Sequence, residues 1–365
     1  MDDVLIIGGG VIGLSLAWDL ARHGARVHVI DQGEPGREAS WAGAGILPPS
    51  ALVTTQHPAE QLRGLASQLH PQWAEELRTI TGIDNGYRRC GGLYLANTPG
   101  ESAALAAWAD SLREDAIEAV SLSPADLREL EPGIAVSARS ILLPTEAQLR
   151  NPRHLKALLA ACQSSGVTIT HNAAASDFAI AGDHLRSIQT SSGQTIEAGN
   201  YCFTAGAWTG QLLRLLGISA GILPIRGQIV LFKCERPPIT RIVNAGSRYL
   251  VPREDGYVLA GSTEEEVGFD KRTTAEAIDD LKAFACALVP ELKAAAIERT
   301  WAGLRPGTVD GLPYLGRLPG LTNTFVAAGH FRTGLYLSPA TAVVMSQLIR
   351  GETPTIDVSP LRVGR

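Results

Sequence analysis

Three glycines and one acid carry the first recognisable chemistry in the sequence. Gly8, Gly10 and Gly13 form G-x-G-x-x-G, and Asp31 follows Gly13 by 18 residues. Glycines so placed permit a tight turn, let backbone approach a pyrophosphate, and let a helix pack closely on a strand. Val11 and Ile12 would open that helix, presenting unpaired N–H groups and a partial positive charge to an anion. Asp31 lies where a carboxylate accepts from ribose hydroxyls, and it would repel the 2′-phosphate of NADP. Gln32 follows it. The other reading is a glycine-rich turn in some unrelated α/β sheet. The unit alone does not separate NAD from FAD.

Elsewhere the chemistry rests on fewer residues. Arg305 stands between Leu304 and Pro306, where the sequence predicts a rigid turn after a buried strand. A guanidinium there can grip a carboxylate bidentately, or it can face solvent. Small residues across Ala39–Ile46, including Ser40, Ala44 and Gly45, would let backbone pass close to a large planar ligand, or form a mobile loop. His330–Tyr336 repeats the logic of the first turn: strand, glycine loop, helix. A helix over Leu335–Ile349 would aim its N-terminus at developing negative charge, or simply connect two elements. Tyr249 begins a strand, as half-buried tyrosines often do. The eight histidines show no metal-ligand spacing, and no Ser/His/Asp or Cys/His arrangement is visible. His23 and His28 read as structural, Glu264–Glu266 as a solvated turn, and Trp41, Trp208 and Trp301 as packing.

Several elements must position these groups. Val4–Ile7 is an apolar run suited to a strand buried on both faces. Helical spacing follows through Ala21, with Gly24 as a C′ glycine, and Val27–Ile30 forms the second strand. Helical segments are expected at Ala59–Ile80, Glu101–Ala116 and Ser123–Leu130, and strands at Arg88–Leu95 and Ser140–Leu143. Asn151-Pro152 reads as a capping side chain followed by proline at the first helical position. With Val167–Thr170 this would close a second β-α-β crossover onto the same sheet. A hairpin is expected over Ser191–Gly193, and a buried strand at Tyr201–Thr204. From Ile222 short strands predict an antiparallel sheet (Gln228–Lys233, Ile242–Ala245, Tyr249–Pro252, Tyr257–Gly261). Thr274–Val289 is a helix, Thr324–Ala328 a strand and Ser338–Ile349 a helix.

The totals agree with a globular chain of two folding units. It has 365 residues, 45% of them hydrophobic, and a net charge of −5, with a mean hydropathy of +0.06. That charge gives no reason to expect nucleic acid, and no apolar stretch reaches membrane-spanning length. The first strand begins too early for a signal peptide. The five scattered cysteines read as free thiols of a reducing, cytoplasmic compartment. The fold class expected is α/β: a Rossmann-like dinucleotide domain from 1–84, 140–217 and 300–365. A second, α+β domain on an antiparallel sheet would be built from 85–139 and 218–299.

Four further stretches resemble the D-amino acid oxidase superfamily of FAD-dependent amine oxidoreductases. They are Glu38–Pro49 (EASWAGAGILPP), Asn151–Leu155 (NPRHL), Gly303–Gly316 (GLRPGTVDGLPYLG) and Ala327–Ala342 (AAGHFRTGLYLSPATA). The match keeps its order along the whole chain and is closest to the glycine-oxidising branch that serves thiamine thiazole biosynthesis. The resemblance implies non-covalent FAD, contacted by the first glycine turn, Asp31, Gln32, Ala39, Ser40 and Ala44–Ile46. It adds Ala175 on the adenine side, and His330, Phe331, Arg332, Thr333, Gly334, Leu335 and Tyr336 around the flavin. It implies that Arg305 and Tyr249 hold the substrate carboxylate and that Arg332 reaches the substrate side of the ring. Glycine, with sarcosine and small D-amino acids, would lose hydride to flavin N5, giving an imine, then glyoxylate and ammonia. Molecular oxygen would then yield hydrogen peroxide. A D-amino acid dehydrogenase or a sarcosine oxidase-like enzyme is the alternative, and a homo-oligomer, often a tetramer, is the family's habit. No base stands out.

Overall fold

The computed structural model describes residues 1–52, 57–135 and 139–365. Its first sheet is centred on the strand Asp2–Ile7, whose last four residues are buried. That strand pairs in parallel with Val27–Ile30 on one side and Thr195–Phe203 on the other. The helix Val11–Arg22 follows the glycine turn. It packs against the C-terminal helix Gly334–Ile349, burying Trp18 edge-on to Trp73 at 4.8 Å between ring centroids. Gly24 ends it as expected: its N–H and that of Ala25 donate to the carbonyls of Ala21 and Leu20.

Gly13 shows why the helix can sit so close to its strand. A Cβ there would lie 1.9 Å from the Gly8 carbonyl oxygen. Thr204 closes the turn from below, donating its hydroxyl to the same oxygen at 2.7 Å.

The second sheet has eight strands, in the order Ala296–Thr308, Ile222–Lys233, Tyr257–Gly261, Arg248–Arg253, Ile242–Ala245, Gly92–Ala96, Arg139–Leu143 and Val120–Leu122. Its pairings are antiparallel, as the short turn-bounded strands predict, apart from a parallel pair between Ile242–Ala245 and Gly92–Ala96. Residues directly opposite across a ladder share a face. One row therefore runs Tyr94, Asn244, Tyr249, Gly261, Ile229, Trp301. The other face carries Leu93, Val243, Leu250, Val258 and Val230. It is covered by Leu281 and Ala285 of the helix Ala275–Leu288.

Some expectations change. The segment around Ser140–Leu143 pairs with Gly92–Ala96 in the second sheet, so it is not the first strand of the second crossover; the helix Asn151–Ser164 and the strand Thr168–Thr170 do return to the first sheet, where that strand pairs in parallel with Val27–Ile30. The strand Ala296–Thr308 also lies in the second sheet. Both strands thus cross the boundaries expected near 140 and 300; residues 136–138, beside the first of these, lie outside the described residues. The helix after Pro152 starts at Asn151 with Arg150 as its N-cap. Asn151 spends its amide on Ser40 instead, at 2.7 Å. Ala175 opens a strand, Ala175–Ala181. Among the described residues no helix is long and apolar enough to cross a membrane.

Gly13→Ala tests the close packing: the native state should lose about 1–3 kcal/mol from overpacking, read as a lower denaturation midpoint. An unchanged midpoint would contradict the contact.

Candidate active site

Two adjoining cavities, about 470 Å³ and about 270 Å³, run from the glycine turn to the face of the second sheet. Six residues line both: Ala39, Gly43, Asn151, Arg305, Arg332 and Leu335. Of the residues singled out from the sequence, Gly8, Gly10, Val11, Ile12, Asp31, Gln32, Ser40, Ala175, His330, Phe331 and Gly334 line the larger. Ala44, Gly45, Ile46, Tyr249, Thr333 and Tyr336 line the smaller. Gly13 lines neither; it supports the turn from beneath.

The larger cavity has the features a dinucleotide requires. Gly10 is the N-cap of the first helix and has no side chain to cap it, and no acid occupies the first turn. The positive end of that helix is therefore left to an anion. Asp31 accepts from Gly9 N–H at 2.7 Å and Gly33 N–H at 2.8 Å. It thus ties the glycine turn to the loop after the second strand while lining the larger cavity. Burial raises its carboxyl pKa, against the pull of those two N–H groups and with help from nearby Glu38 and Glu34. Its two oxygens offer about four acceptor sites in all, so capacity remains for a ribose.

The Glu38–Ala44 loop is pinned from several sides. Ser40 Oγ accepts from Val11 N–H at 2.9 Å, and Trp301 Nε1 donates to Ala42 O at 3.0 Å. Arg253 donates to Ala44 O at 2.7 Å, and to Leu149 O and the Gln148 side chain. Trp301 therefore does more than pack. Asn151 lines both cavities, and its Oδ1 is buried without a hydrogen-bond partner among the described residues. Phe331 holds φ 48°, uncommon for a bulky residue, at the entrance to the C-terminal helix. That helix has no side-chain cap at Thr333, so its positive end opens where the cavities meet. Uncapped helix ends, a glycine cradle and an orphaned acceptor along one channel fit FAD.

At the junction lies Arg305. It sits within the strand Ala296–Thr308, opposite Ile225, and not in a turn as the sequence suggested; Pro306 continues the strand. Two absent side chains make the room. A Cβ at Gly227 would lie 2.1 Å from the Arg305 guanidinium, and one at Gly261 would lie 2.7 Å from the Tyr249 hydroxyl. Arg305 donates to Ser262 Oγ at 2.6 Å and Thr263 O at 3.0 Å. Burial pulls its pKa down; Tyr249 and Glu264 oppose this, and Arg332 reinforces it. A guanidinium has five N–H donors, so donors remain for a carboxylate in the cavity.

Arg332 bonds to Glu264 at 2.5 Å and to Ser247 O at 2.9 Å. The acidic run is exposed at Glu264 and Glu266, as a solvated turn would be, but it is not idle: Glu264 ties Arg332 to the second sheet, and Glu265 pairs with buried Arg226. His330 keeps its ring out of the cavity, against Thr341, and burial lowers its pKa to about 3. His28 bridges to Thr170 and His23 to Asp19, structural roles as read. Among the described residues no group of His, Cys, Asp and Glu could hold a metal, and no cysteine lines either cavity.

Sequence reasoning missed Asn151's bridging role, Arg253, Gly227 and the residues Tyr94 and Asn244 of the smaller cavity. Only a strand register brings these together, and no local motif announces it.

The chain is similar to known proteins along its whole length. Residues 3–348 match the family model described as DAO, FAD dependent oxidoreductase. A glycine oxidase of Pseudomonas putida is 39% identical over 98% of this chain and 97% of its own. The crystal structure of glycine oxidase from Geobacillus kaustophilus superposes with a TM-score of 0.95 at 32% identity, covering 100% of this chain and 98% of that one. The bifunctional protein ThiO/ThiG of a Synechocystis species is 33% identical over 98% of this chain, which spans 52% of it.

Gly227→Ala should displace the guanidinium and weaken a simple carboxylate such as acetate by about tenfold, the worth of one charge-assisted hydrogen bond. Flavin absorbance perturbation reads the affinity, and an unchanged value would remove Arg305 from the binding site.

Proposed function

The chain belongs to the family of FAD-dependent oxidoreductases, and from that premise we propose that it oxidises glycine, and also sarcosine and small D-amino acids. The observation that carries this reading is a half-buried guanidinium beside a tyrosine, lining the smaller cavity where it adjoins the larger one. The cavity's small volume and the full-length likeness to glycine oxidases support a small amino acid.

FAD, when bound, supplies the two-electron acceptor; the chain supplies position. The glycine turn and first helix would hold the pyrophosphate, Asp31 and Gln32 the ribose, and Ala173–Ala175 the adenine side. Ala44–Ile46 and His330–Tyr336 would flank the flavin. Arg305 would take the substrate carboxylate bidentately, with Tyr249 donating a further hydrogen bond, and fix the α-carbon against the ring. Orientation of this kind is worth several kcal/mol of barrier. Arg332, fixed by Glu264, would close the substrate side and add positive charge near the reacting end. The amine must lose a proton before hydride can leave. Glyoxylate and ammonia follow from hydrolysis of the imine, with hydrogen peroxide from oxygen.

Non-covalent FAD is consistent with the cysteine positions. Cys286, the last in the chain, packs on the far face of the second sheet. A place in thiamine thiazole biosynthesis is consistent with the likeness to ThiO/ThiG. The two sheets would form the two domains, with their interface carrying the chemistry.

Arg305→Lys keeps the charge but loses the fork, so kcat/KM for glycine should fall by about 10²-fold, from the loss of one bidentate contact. Peroxide release from glycine, sarcosine and D-alanine measures it. A variant as active as wild type would overturn the assignment of Arg305, and peroxide from none of the three would overturn the proposed activity.

A further inference from the structure

Behind the lining of the smaller cavity lies a carboxyl that the proposed chemistry does not yet use. Tyr94 lies in the same row of the second sheet as Tyr249, with Asn244 between them, and all three line the cavity with Arg305. The Tyr94 hydroxyl donates to Glu146 Oε2 at 2.9 Å. Glu146 is fully buried, and its other oxygen has no hydrogen-bond partner among the described residues. Gly92 makes the space: a Cβ there would lie 2.2 Å from Glu146 Oε2. A buried carboxyl with a spare oxygen is costly, and such groups concentrate at working sites.

We propose that Tyr94 and Glu146 form a relay that removes the proton from the substrate ammonium. It rests on the reading of the cavity as an amino-acid site. Because the tyrosine spends its proton on Glu146, its oxygen lone pairs are left to accept from the cavity. With the carboxylate held by Arg305 and Tyr249 at one end of the row, the ammonium meets Tyr94 directly or through one water. An N–H bond of the ammonium breaks and its proton reaches Tyr94 oxygen. The tyrosine's own proton passes to Glu146 Oε2. The products are a neutral amine and a neutral carboxyl, and no electrons change hands. The carboxyl returns its proton when nitrogen later leaves as ammonium.

The carboxyl is poised for this. Burial raises its pKa to about 7, against the pull of Tyr94 and Asn244, close to where a base works best in neutral solution. Around the pair stand Asn244 from the second sheet and Tyr336 from the C-terminal helix. Arg63 from the helix Pro58–Thr81, Arg305 and Arg332 line the same cavity. His70, stacked on Tyr336, is held neutral by burial, its pKa lowered to about 4.

The test is anaerobic flavin reduction by glycine in the holoprotein, followed from pH 5.5 to 9 in wild type, Glu146→Gln and Tyr94→Phe. Acetate affinity is measured alongside. In wild type the rate should climb as pH rises through about 7, because only the ionised Glu146 accepts a proton. Either variant should lose that limb and, at pH 8, about 10²-fold in rate, as for loss of a general base. Acetate should bind all three equally, since it has no amine. Variants that keep the wild-type rate and limb overturn the relay alone. A loss of acetate affinity matching the loss of rate makes the pair merely structural and also overturns it. Wild-type flavin that glycine fails to reduce overturns the functional reading and the relay together.

Discussion

A half-buried positive charge on the face of a sheet, Arg305, is the constraint around which this molecule is arranged. A guanidinium is stable there only if its donors are met and its volume is accommodated. Ser262 and Thr263 meet two of those donors, and Gly227 leaves the space. What remains unsatisfied points into a cavity and calls for an anion. The sheet thus creates a demand for a carboxylate, and the neighbouring channel sets a dinucleotide within reach of whatever answers it.

The two halves of the site are joined by a few long-range contacts. Trp301 and Arg253, both from the second sheet, hold the carbonyls of Ala42 and Ala44. Asn151 holds Ser40, which in turn holds Val11 at the head of the first helix. Arg332 and Glu264 close the other side. A shift in either sheet would therefore move the loop that flanks the flavin, coupling cofactor position to substrate position.

How much of this could be read in advance follows from the range of each signal. The first turn was legible because strand, glycines, helix and acid are consecutive, and Gly24 marked its end. Loops around Ala44 and His330 were legible by resemblance, and they line the cavities. Arg305 was singled out but misplaced in a turn: Pro306 suggested a break, yet a proline is tolerated on an edge strand, and here the pairing runs on to Thr308. Ser140–Leu143 was recognised as a strand but assigned to the wrong sheet, because nothing local specifies a partner. Glu264 and Glu266 are exposed as read, but the pairings of Glu264 and Glu265 went unseen because Arg332 and Arg226 are distant in sequence. Gly227, Gly261 and Gly92 carried no message until the side chains they admit were seen.

The central claim is that an acid end anchored by Arg305 presents an amine to bound FAD. Anaerobic mixing with glycine and, separately, with methylamine tests it most directly, since the two share an amine and differ in the carboxylate. The flavin absorbance near 450 nm should bleach fully with glycine and stay unchanged with an equal concentration of methylamine. Equal bleaching by both, or by neither in protein that dithionite reduces, would contradict it.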